Sequence, residues 1–257
     1  MSPSNLQNIH SSGQGLDVKR AFVPKLDAFL FFDYDSIEVR LLAFYLATIG
    51  DPSLAEELKH GLDPHLETAK GLFPGVVIDP RTPEGKKMRG AGKQLGFSVQ
   101  YGGGVPTIMR QLKCSRGEAA SLLKAYHIAR PGVKILKSAI WERYQEVGYI
   151  RTLYDRQLHP DSEHKCLNSL CQGCAADLIR DALQKIHDDL TLPWTASHIV
   201  NTVHDEIIID AAEDEIPELV RRMPTLMGNA EVEKIVPIEV SVEISRINWA
   251  SKESYVD

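Results

Sequence analysis

Two aspartates and one stretch of basic and aromatic residues carry most of the chemical content of this sequence. Asp33 follows the aromatic run Phe29-Leu30-Phe31-Phe32, where a short strand gives way to the helical spacing of Ile37, Leu41, Leu42 and Tyr45. Asp205 lies between the β-branched runs Ile199 to Val203 and Ile207 to Ile209, a pattern that predicts a hairpin. Two carboxylates delivered from strand ends suit Mg²⁺, which keeps few protein ligands and shares the remainder with phosphate oxygens. On either residue alone a turn role is the stronger reading, since Asp is a common turn residue.

The basic and aromatic stretch adds a second constellation. Arg89, Lys93, Phe97 and Tyr101 recur every four residues and so share one slowly drifting helix face. Arginine and lysine placed before two aromatics can grip a triphosphate and stack a base. The same spacing fits a solvated basic helix whose aromatics face a core, and spacing alone favours that plainer reading. The wider run from Arg81 to Lys93 holds five Lys/Arg residues opposed only by Glu84.

The elements that must position these residues follow from the rest of the chain. Its 257 residues, 43% hydrophobic and 25% charged, suit one large domain or two closely packed ones. No apolar run reaches membrane-spanning length and no signal-peptide pattern opens the chain, so a cytoplasmic protein without a membrane partner is expected. A formal net charge of −6 argues weakly against nucleic acid, but binding depends on where the basic residues lie. Cys114, Cys166, Cys171 and Cys174 do not form a disulfide framework in a chain this long, and buried cysteines explain Cys171-x-x-Cys174 better than zinc.

Residues 1–24 read as extended chain and turns, and Asp51 to about Lys165 as mostly helical. A further helix is expected from about Leu170 to Leu190, and Ile238, Val240, Val242 and Ile244 alternate as in a half-exposed strand. Strands at both ends around a helical block predict an α+β fold.

At this point the motifs resemble those of family A, polymerase I-like DNA polymerases. Asp33-Tyr34-Asp35-Ser36-Ile37-Glu38-Val39-Arg40 is similar to motif A, Arg89 to Tyr101-Gly102 to motif B, and Val203-His204-Asp205-Glu206 to motif C. Asn5 to Ile9, Asp63-Pro64-His65, and Asn168 with Gln172 to Asp177 match family segments in the same order. The resemblance implies an antiparallel palm sheet with helices (residues 1–50 and 166–257) and an inserted, mostly helical fingers subdomain (51–165).

The implied activity is template-directed addition of deoxynucleotides to a primer 3′ end, with primer–template DNA and dNTPs as partners. Asp33, Asp205 and the Tyr34 backbone carbonyl would hold two Mg²⁺ ions, with Mn²⁺ an alternative. Arg89, Lys93 and His65 would meet the triphosphate, and Lys93 would protonate the leaving pyrophosphate. Phe97 would pack on the nucleotide, Tyr101 would guard the template-base position, and Glu38 would exclude a ribose 2′-hydroxyl. Asp35-x-x-Glu38 also reads as a helix capping box. Gln7, Asn168, Gln172 and His204 would lie along the duplex, where amides suit acceptors common to every base pair. Arg156 reads better as a surface arginine.

Departures from the family set further expectations. Gly96 and Ser98 flank Phe97 where relatives carry Asn and Gly, and Gly90 and Gly92 enter the same helix, each costing about 0.5–1 kcal/mol against Ala. A looser fingers helix with slower or less faithful closure is predicted, and the stretch from Arg156 to Asn168 is shorter than in bacterial relatives. With Met1 falling where the family would have its Thr-Gly-Arg segment, the chain is expected to carry neither a thumb nor a 3′–5′ exonuclease. The resemblance therefore points to weak DNA binding and to a separate polypeptide with those parts, or to a gene fragment; a viral origin, in the host cytoplasm, would fit. A single-subunit RNA polymerase-like enzyme and a catalytically silent replisome subunit are the rival readings. Glu38 speaks against the first, and joint retention of Asp33, Asp205, Arg89 and Lys93 against the second.

Overall fold

The computed structural model of the chain describes residues 9, 14–193 and 195–256. Along the chain run α1 (Gln14–Arg20), β1 (Ala28–Tyr34), α2 (Ile37–Thr48), α3 (Ser53–Lys59), α4 (Pro64–Leu72) and α5 (Pro83–Gln100). After these come α6 (Val105–Leu112), α7 (Arg116–Ala129), α8 (Pro131–Val147), β2 (Ile150–Arg151), β3 (Gln157–Leu158) and α9 (Glu163–Leu190). The chain continues through β4 (His198–Val203), β5 (Glu206–Ala211), α10 (Ile216–Leu226), α11 (Ala230–Glu233), β6 (Val240–Ser245) and β7 (Glu253–Ser254). It forms two compact units, residues 1–37, 175–233 and 238–257, and residues 38–174 with 234–237.

The first unit is built on a 5-stranded antiparallel sheet in the order β4-β5-β1-β6-β7. As the middle strand, β1 is covered on both faces, which is why Ala28 to Phe32 form an unbroken apolar run instead of an alternating one. Phe31 pairs with Ile208 and Asp33 with Glu206 across the β1–β5 ladder, so these four side chains share a sheet face. Phe29, Phe31, Ile208 and Trp249 form a buried cluster on that face, with Ile9 and Val203 against it. On the opposite face Tyr34 is buried, and its hydroxyl donates to the Met227 carbonyl oxygen at 2.8 Å.

The second unit is helical apart from the β2–β3 ribbon. Arg130 is largely buried at the start of α8, and its guanidinium donates two parallel bonds to the Glu57 carboxylate of α3. That is the fork geometry in which a buried arginine is best satisfied. Helices α4 and α5 pack most closely at Gly92, where a Cβ would come 2.3 Å from the His65 carbonyl oxygen. Gly92 is therefore a packing glycine, which corrects the reading that it loosens the helix; Gly90 and Gly96 face open space.

Two expectations about elements change. Residues 14–20 form a helix where extended chain was expected, with Arg20 donating to Asp17 at 3.1 Å along it. Gly13 and Gly15 mask that helix in the sequence. Helix α9 begins at Glu163, seven residues earlier than Leu170. Cys166, Cys171 and Cys174 are buried along it, with the Tyr45 hydroxyl 2.9 Å from the Cys174 sulfur. Arg156 is half-buried and donates to the Gly173 carbonyl oxygen at 2.9 Å. Among the described residues no helix is long and apolar enough to cross a membrane.

Candidate active site

In the first unit the acidic site is made by strand register. Asp33 is the last residue but one of β1, and the two-residue turn His204-Asp205 joins β4 to β5 opposite it. The Tyr34 N–H donates to the Asp205 carbonyl oxygen at 3.4 Å, tying the turn to the strand end. His204 holds a left-handed φ of 58°, a conformation that costs a non-glycine residue about 1–2 kcal/mol.

Burial pushes the Asp33 carboxyl up to about 7, and the negative charges of Asp205, Glu206 and Asp35 add to it, with Lys252 opposing. A carboxylate crowded by three others is a site short of positive charge. Among the described residues no group of three or more His, Cys, Asp or Glu side chains closes a metal cage. A carboxylate pair is nonetheless the donor set for a hard divalent cation that takes its other ligands from phosphate and water. Asp33 and Asp205 fit Mg²⁺ on those grounds.

Of the expected capping box, the half that would join the Glu38 carboxylate to the Asp35 N–H is not made. The Asp35 N–H donates instead to the Glu239 carbonyl oxygen at 2.9 Å, and Ser36, with φ 54°, turns the chain into α2.

In the second unit α4 and α5 bring the basic and aromatic residues together. Asp63 caps α4, with Oδ1 accepting from the His65 N–H at 2.9 Å and the Leu66 N–H at 3.1 Å, while Pro64 supplies the first-turn φ. Its other oxygen accepts from Arg89 Nε. Burial works to raise the Asp63 pKa, but the Arg89 hydrogen bond and the two amides outweigh it and hold the carboxyl below its ordinary range.

His65 is buried, with its ring 5.5 Å from Phe97 and its Nε2 unpartnered. Burial lowers its pKa to about 4, Lys93 and Arg89 adding to the effect and Asp63 opposing it, so the ring is neutral near pH 7. Lys93 Nζ stands 5.7 Å from the Phe97 ring centre, and Phe97 stacks on Tyr101 at 5.8 Å and 19°. The result is a patch of cationic and N–H donors beside an aromatic pair.

At the end of α5 the Tyr101 hydroxyl donates to Glu38 at 2.7 Å, and the Gln172 amide donates to the other Glu38 oxygen at 3.3 Å. Asn168 donates in turn to Gln172 at 3.1 Å. Burial raises the Tyr101 hydroxyl pKa well above its usual value, reinforced by the Glu38 carboxylate, so it stays a donor. These four residues, spread from 38 to 172, form one linked network. Gln7 lies outside the described residues.

Sequence reasoning missed Asp63 and Lys252. Asp63 carried a signal, an Asp-Pro pair opening a helical run. Lys252 carried none, because its acidic partners are distant in sequence.

A family model described as DNA polymerase family A matches residues 1–251. DNA polymerase I of Bacillus caldotenax is 34% identical over 251 residues, covering 92% of this chain and 28% of that protein. The thermostable DNA polymerase I of Thermus filiformis is 31% identical, covering 96% of this chain and 30% of its own length. A solved structure, the POL domain of Pol1 from M. smegmatis in complex with DNA primer-template and dNTP, matches with a TM-score of 0.80 at 30% identity. That match covers 96% of this chain and 45% of the solved one. The chain thus spans 28–30% of the length of these two curated relatives. Since the family match runs almost from end to end, the chain belongs to DNA polymerase family A.

Proposed function

We propose that this chain is the catalytic portion of a template-directed DNA polymerase that extends a primer 3′ end with dNTPs in the cytoplasm. The observation that carries this reading is the carboxylate pair Asp33 and Asp205, set at a strand end and the facing turn amid an excess of negative charge. Those two carboxylates, with the Tyr34 carbonyl oxygen, would hold two Mg²⁺ or Mn²⁺ ions. When bound, the ions supply charge neutralisation at the attacking and leaving oxygens.

The remaining roles belong to the chain's own side chains. In the reaction the primer 3′-hydroxyl gives up its proton to water and its oxygen forms a bond to the α-phosphorus while the bond to pyrophosphate breaks. Lys93 donates the proton that pyrophosphate takes up, and Arg89 and neutral His65 donate hydrogen bonds to the triphosphate. Engagement of Arg89 Nε by Asp63 leaves its two terminal nitrogens for phosphate. Phe97 packs on the nucleotide, and Tyr101 guards the template-base position. Glu38, fixed by Tyr101 and Gln172, crowds a 2′-hydroxyl and so favours deoxyribonucleotides over ribonucleotides. Asn168, Gln172, His204 and Gln7 lie along the duplex. Palm and fingers are our names for the sheet-bearing and helical parts.

Primer extension on a short DNA duplex with Mg²⁺ and all four dNTPs tests it, with Asp205→Ala in parallel. The wild-type chain should extend the primer and the variant should lose at least about a hundredfold in rate, the scale of removing one electrostatic stabiliser. Equal extension by both would remove Asp205 from the chemistry.

A further inference from the structure

Lys252 lies one residue beyond the family match, immediately before β7, which pairs with β6 through Glu243↔Ser254 and Ile244↔Glu253. Its ammonium forms an ion pair with Glu206, lies 3.5 Å from the Glu243 carboxylate, and sits 4.2 Å from the centre of the Phe31 ring. Phe31 precedes Asp33 by two residues on the same sheet face, and Glu206 is the direct cross-strand neighbour of Asp33. Lys252 is therefore a cation aimed at the carboxylate site. Both partners are well shielded, with side chains 22% and 12% exposed for Lys252 and Glu206, so solvent weakens their interaction less than at an open surface.

Glu206 has a choice of positive partners. Next to Asp205 in sequence and opposite Asp33 in register, it adds negative charge beside the aspartate pair, and turned away from Lys252 it would offer a third carboxylate to a divalent cation, a cage that the described residues do not close as they stand. We propose that Lys252 withholds it: by engaging Glu206, Lys252 limits the metal site to the two aspartates and keeps divalent-cation affinity low. This rests on the reading of Asp33 and Asp205 as the metal pair. A site of weaker charge would release a bound cation more readily.

The alternative is that Lys252 only fastens β7 to the sheet, and metal affinity separates the two. The probe is Mn²⁺ alone, titrated into the full chain near neutral pH and followed by the electron paramagnetic resonance of the free ion. Lys252→Met keeps an apolar stem over Phe31 and removes the charge; its Mn²⁺ affinity should rise roughly fivefold, the effect of one partly shielded charge. Lys252→Arg should keep wild-type affinity, and adding Glu206→Gln to Lys252→Met should return it to the wild-type level or below.

A folded Lys252→Met variant that binds Mn²⁺ no more tightly than wild type would overturn the proposal. Should that variant fail to fold, Glu206→Gln alone decides. It leaves the lysine charge unmet, so Mn²⁺ binding should weaken roughly threefold, and unchanged affinity would refute the role. Asp205→Ala is the control: if it leaves Mn²⁺ binding intact, or if the wild-type chain binds none, the metal-pair reading falls and takes this one with it. Loss of binding in Asp205→Ala with no gain in Lys252→Met would sink the Lys252 role alone.

Discussion

Asp33 and His65 are displaced from their ordinary protonation in opposite directions, and the displacements tilt stability oppositely with pH. Asp33, raised to about 7, keeps a proton in the folded chain that the unfolded chain gives up above about 3.8. Its contribution therefore falls as pH rises between those values. His65, lowered from 6.5 to about 4, refuses a proton that the unfolded chain accepts, so its contribution is lost as pH falls through that window. Thermal melts in a metal chelator should separate them. Between pH 7 and 4.5, His65→Gln should lose less stability on acidification than wild type, by roughly 2 kcal/mol. Identical slopes would mean that the imidazole protonates freely in the folded chain. Legibility at this scale depended on distance in sequence. The placement of Asp33 near a strand end and of Asp205 in the facing turn was readable because both are local signals. Asp63 and Lys252 were not assigned roles because their partners Arg89 and Glu206 lie 26 and 46 positions away.

At the scale of elements, α5 holds three glycines beyond its first turn, Gly90, Gly92 and Gly96, in two different situations. A methyl group at Gly90 or Gly96 meets open space, so replacement by Ala should stabilise by about 0.5–1 kcal/mol through helix propensity and a less flexible unfolded chain. At Gly92 the same methyl would sit 2.3 Å from the His65 carbonyl oxygen and 2.8 Å from the Ala69 nitrogen, forcing α4 and α5 apart. Gly92→Ala should destabilise by about 1–3 kcal/mol, and chemical denaturation of the three variants checks the order. Gly92→Ala matching the other two would show that the helices yield at no cost. The same contrast explains which elements the sequence disclosed. Periodicity in Ile207 to Ile209 and around Ile179, Leu183 and Ile186 reported burial, so β5 and α9 were found. Periodicity is silent about which glycine faces another helix, and it failed at α1, where Gly15 interrupts a helix of only 7 residues.

At the scale of the whole molecule, the net charge of −6 conceals its own distribution. Asp33, Asp35, Asp205 and Glu206 gather in one place, while Arg81 to Lys93 gather positive charge in and just before α5. Attraction to a polyanion must come from the second patch, which the average charge hides. The chain's thiols are distributed just as unevenly. Cys166, Cys171 and Cys174 are buried along α9, and burial raises the pKa of Cys171 above its ordinary value, with Cys174 and Glu38 adding to it. Cys114, in the connection between α6 and α7, is half-exposed. A maleimide dye should thus react with about one thiol per folded chain and with the remainder only after denaturation, as intact-mass spectrometry would count. Fast labelling at several positions would contradict the buried α9 face. Selective labelling would equip the unaltered protein with a fluorescent reporter on its helical unit, ready to test the proposed nucleotide binding in real time without a single cysteine having to be removed.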